Sequence, residues 1–523
     1  MEALRSRAAR GSGRARGGAL VFVGFMGAGK SSAARAVAAE LGVQPLDSDR
    51  QLEAELGEPI EAFFDREGES AFRAREEEVV LGLLARPDAE VVALGGGATG
   101  SERVREALIP HTVVHLEVAP EEAWRRATGK GRPLARDRGR FDQLHADRRV
   151  TYMAIADAML PSAGRDVARR ALSGLLALRE ARDGGGRPVR MVWAHAQSGD
   201  YPVFLGRGLI EDGFFHPAGV EPYVVTDENV AAHHRVSGRY TVAIAAGEQN
   251  KTLASAEWVL RTLAGAGAER GDLLAAVGGG VVGDLAGFCA AVYQRGTPHV
   301  QVPTSLVAQV DSAYGGKTGV DLPEAKNYVG AYHQPAAVIC DPAALETLPA
   351  EEHAAGYAEV VKTGLIAGGP LWARIRAGGR VDEETILGCL RTKLETVAAD
   401  ERDAGRRQVL NLGHTVGHAI EAATGYVRYR HGEAVALGLL AALRLSGKDA
   451  LRDEVAALLA ARGLPLSFSG ASAEDVAAVT ERDKKRSGGR VPFVLVEAPG
   501  QVSPGHEIAP AQLRAAIEEL QGR

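Results

Sequence analysis

Gly24-Phe25-Met26-Gly27-Ala28-Gly29-Lys30-Ser31 matches the pattern GxxxxGK[ST], directly after the apolar run 19–23 and directly before a helical pattern that begins at Lys30. A glycine-rich loop in this position lets backbone N–H groups surround nucleotide phosphates, while the lysine reaches the β- and γ-phosphates and the serine binds Mg²⁺. The stretch therefore predicts a P-loop. A glycine-rich turn without that role is the alternative reading of the same residues.

Working outward from this loop, apolar runs at 91–94 and 112–118 alternate with longer helical patterns, which predicts a parallel sheet with crossover helices. The segment 183–188 (Asp-Gly-Gly-Gly-Arg-Pro) interrupts any helix and is typical of a linker. We expect an α/β P-loop domain at 19–180, a linker at 181–188 and a second domain at 189–523. Strand-like segments dominate 189–344 and helical patterns dominate 345–523, so the second domain should form an α/β lobe and an all-helical lobe.

Composition limits the class of protein. The chain has 523 residues, 46% hydrophobic and 24% charged, with a formal net charge of -6, which excludes chain-wide disorder and a disulfide-stapled miniprotein. The mild acidity argues against a globally basic nucleic-acid binder, and the apolar stretches are too short to cross a bilayer. Cys289, Cys340 and Cys389 fit neither a disulfide framework nor paired zinc ligands, so we expect a reducing cytoplasm. The arginine-rich segment 1–18 should be a disordered tail.

Three features behind the P-loop could form a site for the group that receives phosphate. Asp47-Ser-Asp49 follows the second apolar run and offers one carboxylate for Mg²⁺ and one for a substrate hydroxyl. Arg73, with Glu76 three residues later, offers a guanidinium suited to a carboxylate. Gly95-Gly-Gly97 follows a strand and lets substrate approach the backbone. Taken singly, each is equally consistent with solvated carboxylates, a helix ion pair or a turn.

Together these segments resemble shikimate kinase over about residues 19–180. The P-loop, Asp47-Ser-Asp49, Phe72-Arg-Ala-Arg-Glu76 and the Gly95–Gly97 turn are followed by Arg132-Pro-Leu134 and by RxxxY from Arg148 to Tyr152. The resemblance implies Mg²⁺-dependent phosphorylation of shikimate by ATP. It implies ATP binding by Gly27, Gly29, Lys30, Ser31 and Ser32, Mg²⁺ binding by Ser31 and Asp47, shikimate binding by Asp49, Arg73, Gly96 and Arg148, and catalytic roles for Lys30, Asp49 and the lid residue Arg132.

In the second domain, Val277-Gly-Gly-Gly-Val-Val-Gly-Asp284 is a glycine-rich turn that by itself serves equally well as structure or as a dinucleotide site. The helical part is more specific. His414 and His418 lie four apart on one helix face, His431 follows, and Glu359 stands upstream. Two histidines and a carboxylate with an open fourth position form a catalytic zinc pattern. Spacing alone makes His414 and His418 the natural pair of ligands.

Many segments between about 189 and 500 resemble 3-dehydroquinate synthase. They are Arg295-Gly, Pro303-Thr-Ser305, Asp311-Ser-Ala-Tyr-Gly-Gly-Lys317-Thr, Lys326-Asn327, Ala358-Glu-Val-Val-Lys362, Leu410-Asn-Leu-Gly-His-Thr and His431-Gly-Glu433. This resemblance implies a Rossmann-like NAD lobe, a helical zinc lobe and cyclisation of 3-deoxy-D-arabino-heptulosonate 7-phosphate. It moves the zinc (or cobalt) ligands to Glu359, His414 and His431, and makes His418 a substrate contact.

The same resemblance implies roles for the remaining polar residues. NAD⁺ would be bound by Asp227, Glu248, Lys251, Gly280, Gly283, Asp284, Thr304, Ser305, Lys317 and Lys326. The substrate would be bound by Asp311, Lys317, Lys326, Asn327, Lys362, Lys393, Arg407, Asn411 and His418, by Lys484 or Lys485, and by Arg295 from a neighbouring subunit. Of these, Lys317, Lys362, Lys393, Arg407, Asn411 and His418 would act in catalysis.

We therefore expect a cytoplasmic bifunctional enzyme that acts on two small molecules, binds no nucleic acid or membrane, and forms a homodimer through the synthase domain. A related sugar phosphate cyclase or a metal-dependent polyol dehydrogenase could share the second domain's lobes. The many candidate phosphate-binding lysines disfavour the dehydrogenase. The kinase part could instead be a non-catalytic nucleotide sensor, a hypothesis that Lys30, Ser31, Asp49 and Arg73 oppose.

Overall fold

The computed structural model describes residues 18–128, 134, 137–163, 166–183, 188–214, 220–234, 237–403, 405–486 and 493–522. They form two compact units, which are described separately. The first contains the described residues up to His195 and Asp200–Gly206, and the second contains 196–199, 207–214 and the described residues from Val220 onward. Residues 1–17 of the expected tail at 1–18, residues 184–187 of the expected linker and Arg132 lie outside the described residues.

The first unit alternates strands and helices. Its elements are β1 (Leu20–Val23), α1 (Lys30–Leu41), β2 (Leu46–Asp47), α2 (Ser48–Leu56), α3 (Ile60–Leu84), β3 (Val91–Ala93), α4 (Glu102–Leu108), β4 (Thr112–Glu117), α5 (Pro120–Ala127), α6 (Arg138–Ile155), β5 (Ala158–Pro161), α7 (Val167–Asp183), β6 (Arg190–Ala194) and β7 (Tyr201–Leu205). α3 is interrupted at Gly68, where φ is 81°.

The strands of this unit run in the order β2-β3-β1-β4-β5-β6-β7. All pairs are parallel except β6 with β7. Every residue of β1 is buried, as expected for a strand inside a sheet covered on both faces. β5 pairs with β6 through Ala158 and Met191, so the β6–β7 hairpin continues the sheet. The first unit thus includes a hairpin whose residues lie within the predicted second domain at 189–523.

The α/β lobe of the second unit contains β8 (Tyr223–Asp227), α8 (Glu228–His233), β9 (Tyr240–Ile244), α9 (Leu253–Gly265), β10 (Leu274–Gly278), α10 (Gly280–Val292), β11 (His299–Pro303), β12 (Lys317–Leu322), β13 (Ala325–Tyr332) and β14 (Ala337–Cys340). β14, β11, β10, β8 and β9 follow one another in a parallel sheet, and β12 and β13 form a separate hairpin. Ala- and Val-rich strands pack against α9 and α10 in one apolar core. This arrangement is the predicted Rossmann-like lobe.

The second lobe contains α11 (Ala350–Ala367), α12 (Gly369–Arg376), α13 (Glu383–Ala399), α14 (His414–Ala423), α15 (His431–Leu445), α16 (Asp449–Ala460), α17 (Ala473–Arg486), β15 (Phe493–Ala498), β16 (Gln501–His506) and α18 (Pro510–Glu518). α15 is buried on nearly every side because its residues are almost all Ala, Leu, Val and Gly. The lobe is helical, as expected, apart from the hairpin β15–β16. Among the described residues, no helix is both long and apolar enough to cross a membrane.

Candidate active sites

The P-loop lies between β1 and α1, as its flanking sequence predicts. Gly24, Gly27 and Gly29 have φ values of 144°, 84° and 91°, a region of backbone conformation that side chains disfavour. Gly29 caps the N-terminus of α1, so the first N–H groups of the helix face the loop. The loop is thus shaped to bind an anionic phosphate chain, with Lys30 at the first helical position.

Asp47 and Asp49 lie where β2 ends and α2 begins. β2 is only two residues long, and Asp47 caps α2 by accepting hydrogen bonds from the N–H groups of Asp49 (3.1 Å) and Arg50 (3.3 Å). Ser48 Oγ accepts a hydrogen bond of 2.8 Å from Gly95 N, which ties this segment to the glycine turn after β3. The two carboxylates are therefore fixed beside that turn.

Arg73 on α3 lies against the same glycine turn. Its Nη1 is 2.5 Å from Glu76 Oε2, and its Nη2 is 3.3 Å from Glu69 Oε1. A methyl group added at Gly97 would stand 2.0 Å from Arg73 Nη1, so the turn and the guanidinium are in close contact. Glu76 is buried and Arg73 is partly exposed, so the carboxylate directs the guanidinium toward the turn.

Arg148 and Tyr152 on α6 contribute the other side of this site. Tyr152 Oη donates a hydrogen bond of 2.5 Å to Gly96 O, which fixes the middle of the glycine turn. Burial raises the pKa of Tyr152 to about 12, so the phenol stays protonated and remains a donor. Burial also lowers the pKa of Arg148, whose guanidinium carbon lies 5.9 Å from the centre of the Phe25 ring.

A cavity of about 590 Å³ joins these features in the first unit. The predicted site residues that line it are Gly27, Gly29, Lys30, Ser31, Ser32, Asp47, Asp49, Arg73, Gly96 and Arg148. The P-loop, the two aspartates and the two arginines therefore share one space large enough for a nucleotide and a small acceptor. Of the predicted lid segment, Leu134 also lines the cavity.

In the second unit, several predicted NAD residues lie at the carboxyl edge of the parallel sheet. Asp227 ends β8, and its side chain accepts a hydrogen bond of 2.9 Å from Val230 N. Gly280 begins α10 just after β10, and Thr304 follows β11, with its N–H donating to Gly278 O at 3.0 Å. Ser305 lies beside the same turn, since a methyl at Gly279 would be 3.2 Å from its Oγ. Dinucleotides bind at this edge in open α/β sheets.

Lys251 connects the other predicted NAD residues. Its buried ammonium lies 2.9 Å from Glu248, 3.4 Å from Asp284 and 3.7 Å from Asp321, and it donates to Asn327 Oδ1 at 2.8 Å. Burial disfavours its charge, but the three carboxylates outweigh burial and raise the pKa of Lys251. Burial raises the pKa of Asp284 to about 6 even though Lys251 opposes the shift. Gly283, beside Asp284, faces Gln301 instead of this cluster.

Glu359, His414 and His431 converge in the helical lobe. Glu359 is 1% exposed, and its Oε1 lies 3.5 Å from His414 Nε2 and 3.4 Å from His431 Nε2. A tetrahedral zinc ion with ligands at about 2.0–2.1 Å separates its ligand atoms by about 3.3–3.4 Å. His414 Nδ1 lies 3.2 Å from Leu412 O, so a backbone carbonyl can hold the Nδ1–H tautomer and leave Nε2 as a ligand. These three side chains therefore fit a zinc or cobalt ion.

His418 is also near this cluster. One ring nitrogen from each of His414, His418 and His431 can be chosen so that all lie within 4.8 Å of one another, but His418 is exposed. Burial, together with Lys362, lowers the pKa of His414 to about 3, so this imidazole is neutral as a metal ligand must be. Burial opposes the charge of His431, yet Glu359 and Glu421 raise its pKa to about 9. Glu359 and Glu421 thus stabilise a positive charge on the His431 ring between them.

A second group of charges stands beside the candidate metal ligands. Lys362 Nζ lies 2.5 Å from Glu359 Oε2 and 2.7 Å from Asp311 Oδ2, and Lys393 pairs with the other oxygen of Asp311. Burial favours a neutral Asp311, but Lys362 and Lys393 outweigh it and lower the pKa of Asp311. Burial lowers the pKa of Lys393. The buried Lys362 and the partly buried Lys393 and Asp311 thus form one cluster next to Glu359.

The remaining predicted residues are less closely gathered. Arg407 is buried and donates to Glu401 O at 2.6 Å and Gly315 O at 3.3 Å, while Asn411 is exposed at the end of a 3₁₀ helix. Lys317 pairs with Asp403. Arg295 is exposed, with φ of 68° in the short helix Tyr293–Arg295. Lys484 and Lys485 belong to α17, and their side chains lie outside the described residues.

Sequence reasoning missed two residues that contact the P-loop. Arg126 on α5 donates to Gly27 O at 3.1 Å and to Ser162 Oγ at 2.7 Å, and Ser162 Oγ donates to Ala28 O at 2.8 Å. Neither residue belongs to a motif that marks it. Glu421 was also missed in the second unit, although it lies three residues after His418 on the same helix. That spacing, which places both on one face, was the available signal.

These geometries define a P-loop phosphotransferase site in one unit and a metal and dinucleotide site in the other. Three family models match the chain: shikimate kinase over residues 26–175, 3-dehydroquinate synthase N-terminal over 241–355 and 3-dehydroquinate synthase C-terminal over 356–486. The 3-dehydroquinate synthase of Halorhodospira halophila is 41% identical over 353 residues, which cover 63% of this chain and 99% of that protein. The enzyme of the same name from a Bradyrhizobium species is 42% identical over 355 residues, covering 61% and 93%.

The chain belongs to the 3-dehydroquinate synthase family and carries a shikimate kinase domain in front of it, which makes it a bifunctional enzyme of the shikimate pathway. A solved structure of ValA, the 2-epi-5-epi-valiolone synthase from Streptomyces hygroscopicus with NAD⁺ and Zn²⁺ bound, aligns at a TM-score of 0.57 and 24% identity. The alignment covers 62% of this chain and 98% of that one, and it shows a shared fold.

Proposed function

We propose that the first unit transfers the γ-phosphoryl group of ATP to a hydroxyl of shikimate. The observation that carries this assignment is the single cavity that contains the P-loop, Asp49, Arg73 and Arg148. The P-loop backbone and Lys30 hold the phosphates of ATP, and Arg73 and Arg148 hold the carboxylate of shikimate. Asp49 orients the attacking hydroxyl and accepts its proton.

Ser31 and Asp47 would hold Mg²⁺, which when bound neutralises charge on the transferred phosphates. Arg132, in the segment before Leu134, would bring a further positive charge over ATP. Because phosphoryl transfer passes through a loose transition state, positioning and charge stabilisation supply most of the catalysis. The tethered glycine turn serves this purpose, since Ser48 and Tyr152 fix it from two sides.

For the second unit we propose conversion of 3-deoxy-D-arabino-heptulosonate 7-phosphate into 3-dehydroquinate and phosphate. The separations of Glu359 Oε1 from His414 Nε2 (3.5 Å) and from His431 Nε2 (3.4 Å) support these three residues as ligands of zinc or cobalt, and His418 would contact substrate. The residues around Lys251 and the β10–α10 turn would hold NAD⁺. When bound, the metal supplies a Lewis acid and NAD⁺ takes and returns a hydride.

The chain's own charges would handle the rest of this reaction. Lys362 and Lys393, which both pair with Asp311, orient the acidic sugar and stabilise negative charge as phosphate leaves. After phosphate elimination, ring opening and an intramolecular aldol closure complete the product. The phosphate of the substrate itself can carry protons in these steps, so we assign no single side chain as the general base.

We also propose that the protein is a cytoplasmic homodimer in which Arg295 enters the site of the neighbouring subunit. Its exposed position supports a contact with another subunit. The three cysteines are free and buried, which suits a reducing compartment. Sedimentation would report the dimer, and mixing Arg295→Ala with a metal-site variant should restore part of the activity if subunits share residues.

The central experiment assays both reactions on one preparation before and after removal of metal with a zinc-selective chelator. Phosphate release from the sugar acid phosphate should be lost and should return with zinc, while Mg²⁺-dependent phosphorylation of shikimate should survive. Survival of phosphate release would refute the zinc site. Lack of ATP-dependent shikimate phosphorylation would refute the kinase assignment.

A variant pair tests the ligand set directly. Glu359→Ala should lose bound zinc, because it removes the carboxylate that faces both imidazoles. Glu352→Ala is the matched control on the same helix, since Glu352 is half exposed and pairs with Arg430 at 2.7 Å. Full zinc content in Glu359→Ala protein would exclude Glu359 as a ligand.

A further inference from the structure

Glu421 is a buried carboxylate whose two oxygens face different functional groups. It is 1% exposed, in the last turn of α14. Its Oε1 accepts a hydrogen bond of 2.9 Å from Lys326 Nζ, and its Oε2 lies 3.5 Å from His431 Nδ1. A charged carboxylate so deeply buried is stable only when both oxygens are paired. Glu421 therefore connects β13 of the α/β lobe to the first residue of α15.

On one side, Glu421 determines how the ring of His431 is presented. His431 Nε2 faces Glu359 Oε1 at 3.4 Å, while Nδ1 faces Glu421. A carboxylate acceptor at Nδ1 keeps the proton on that nitrogen, so Nε2 is the atom that gives up its proton and offers its lone pair when a metal binds. It also fixes the plane of the ring, so that the lone pair points toward the other candidate ligands.

On the other side, Glu421 holds Lys326 within the proposed cofactor site. Lys326 Nζ lies 3.8 Å from Glu248 Oε1, and Glu248 in turn pairs with Lys251 at 2.9 Å. The Tyr426 ring lies over the same ammonium, with 5.2 Å from Nζ to the ring centre. Tyr426 has φ of 60°, a backbone conformation that is uncommon and energetically unfavourable for an aromatic residue. Lys326 is thus held from three directions, of which Glu421 is the nearest.

We propose that Glu421 is a positioning residue that fixes both the metal-binding imidazole of His431 and the cofactor-site ammonium of Lys326. The inference rests on the proposed function of the second unit. It extends that function by making one carboxylate responsible for the geometry of two sites. Removing its charge must then weaken metal binding and dinucleotide binding together, although Glu421 is not assigned to touch either ligand.

The test compares Glu421→Gln with wild-type full-length protein. Apo protein is titrated with Co²⁺, read by its visible absorption, and cobalt-loaded protein is titrated with NADH, read by fluorescence. We expect Co²⁺ affinity to fall about 10- to 100-fold, with a changed absorption band, because the supporting partner of a ligating histidine is lost. We expect NADH affinity to fall about 10-fold or more because Lys326 loses its nearest charged partner. Glu497→Gln, which removes the exposed partner of Lys448, is the matched control and should change neither.

A double-variant cycle separates positioning from a general structural effect. Lys326→Met should weaken NADH binding, and Glu421→Gln should add little further loss of NADH affinity in that background. Full additivity would overturn the proposal, as would an unchanged Co²⁺ or NADH affinity in Glu421→Gln. If Glu421→Gln does not fold, Glu421→Asp provides the test: it keeps the charge but is too short to reach both partners, so at least one affinity must fall, and no change in either overturns the proposal.

These measurements are independent of turnover. Wild-type protein that binds Co²⁺ and NADH but releases no phosphate from the sugar acid phosphate would refute the proposed function. The role of Glu421 would then still be decided by the two titrations. Kinase activity in the same samples reports whether the polypeptide remains intact.

Discussion

Gly97→Ala should selectively weaken shikimate binding by moving Arg73. The new methyl carbon would stand 2.0 Å from Nη1, 2.5 Å from Cζ and 2.8 Å from Nη2 of that side chain. Carbon contacts settle near 3.5–4.0 Å, so the guanidinium must retreat by about 1.5 Å. Gly97 has φ of -103°, so alanine brings no backbone strain. The displaced group is the end of a flexible side chain, and the cost to stability should therefore be small.

The loss should instead fall on substrate binding. A hydrogen bond to a charged group contributes about 1.5–3 kcal/mol, so losing one such contact to the carboxylate should raise the KM for shikimate about 10- to 150-fold. ADP release measured against shikimate concentration gives this value. Gly100→Ala, at the end of the 3₁₀ helix that follows the turn, is the control, because nothing lies within 4 Å of its added methyl. Phosphate release by the second unit reports intact protein. An unchanged KM in Gly97→Ala would refute the placement of Arg73.

Three further outcomes are expected. Tyr152→Phe removes the hydrogen bond to Gly96 O, so it should lower kcat/KM for shikimate about 10-fold with little change in the KM for ATP. Equal effects on both substrates in steady-state assays would contradict this prediction. The buried carboxylate of Asp341 accepts hydrogen bonds from three backbone N–H groups. Asp341→Ala should therefore destabilise the second unit by about 3 kcal/mol in denaturant titrations, and a change under 1 kcal/mol would contradict this role. Burial opposes the charge of Asp382, but Arg374 and the hydrogen bonds that cap α13 lower its pKa from 3.8 to about 2. The charged carboxylate therefore stabilises the folded protein fully above about pH 4, and this stabilisation is lost as the pH falls through 2. Asp382→Ala should therefore cost about 1 kcal/mol at pH 7 and almost nothing at pH 1.5 in urea titrations, and a loss that does not depend on pH would contradict the assignment.

Local pattern predicted the elements that carry the P-loop and the metal cluster. The apolar run before Gly24 and the helical pattern from Lys30 are sufficient to predict β1 and α1, because a buried strand and a capped helix depend on neighbouring residues in the sequence. The two-residue strand β2 was harder to predict. Asp47 ends this strand and caps α2, so Asp49 lies in a helix. The hydrogen bond from Gly95 N to Ser48 Oγ, which holds this segment beside the glycine turn, joins residues far apart in the sequence.

Contacts between distant segments could not be read in the same way. Arg126 and Ser162 meet at the P-loop across 36 residues, and Glu421 meets Lys326 across 95. Hydrophobic periodicity in the sequence does not predict such pairs, because the fold brings their residues together from distant segments. The candidate ligand set shows the same limit. Spacing predicts that His414 and His418 share a helix face, and the structure adds His431, since a ring nitrogen from each of the three lies within 4.8 Å of the others. Glu359 joins them from a different helix, with its Oε1 3.5 Å from His414 Nε2 and 3.4 Å from His431 Nε2.

The pairing of β5 with β6 has a practical consequence for anyone dissecting the chain. β5 already pairs with β4, and Asp200 after β6 holds Arg170 of α7 at 2.7 Å. A fragment ending in the glycine-rich stretch near residue 184 would leave Ala158–Pro161 as an open sheet edge, a template for aggregation during expression. A boundary beyond Gly206 keeps that edge covered by β6.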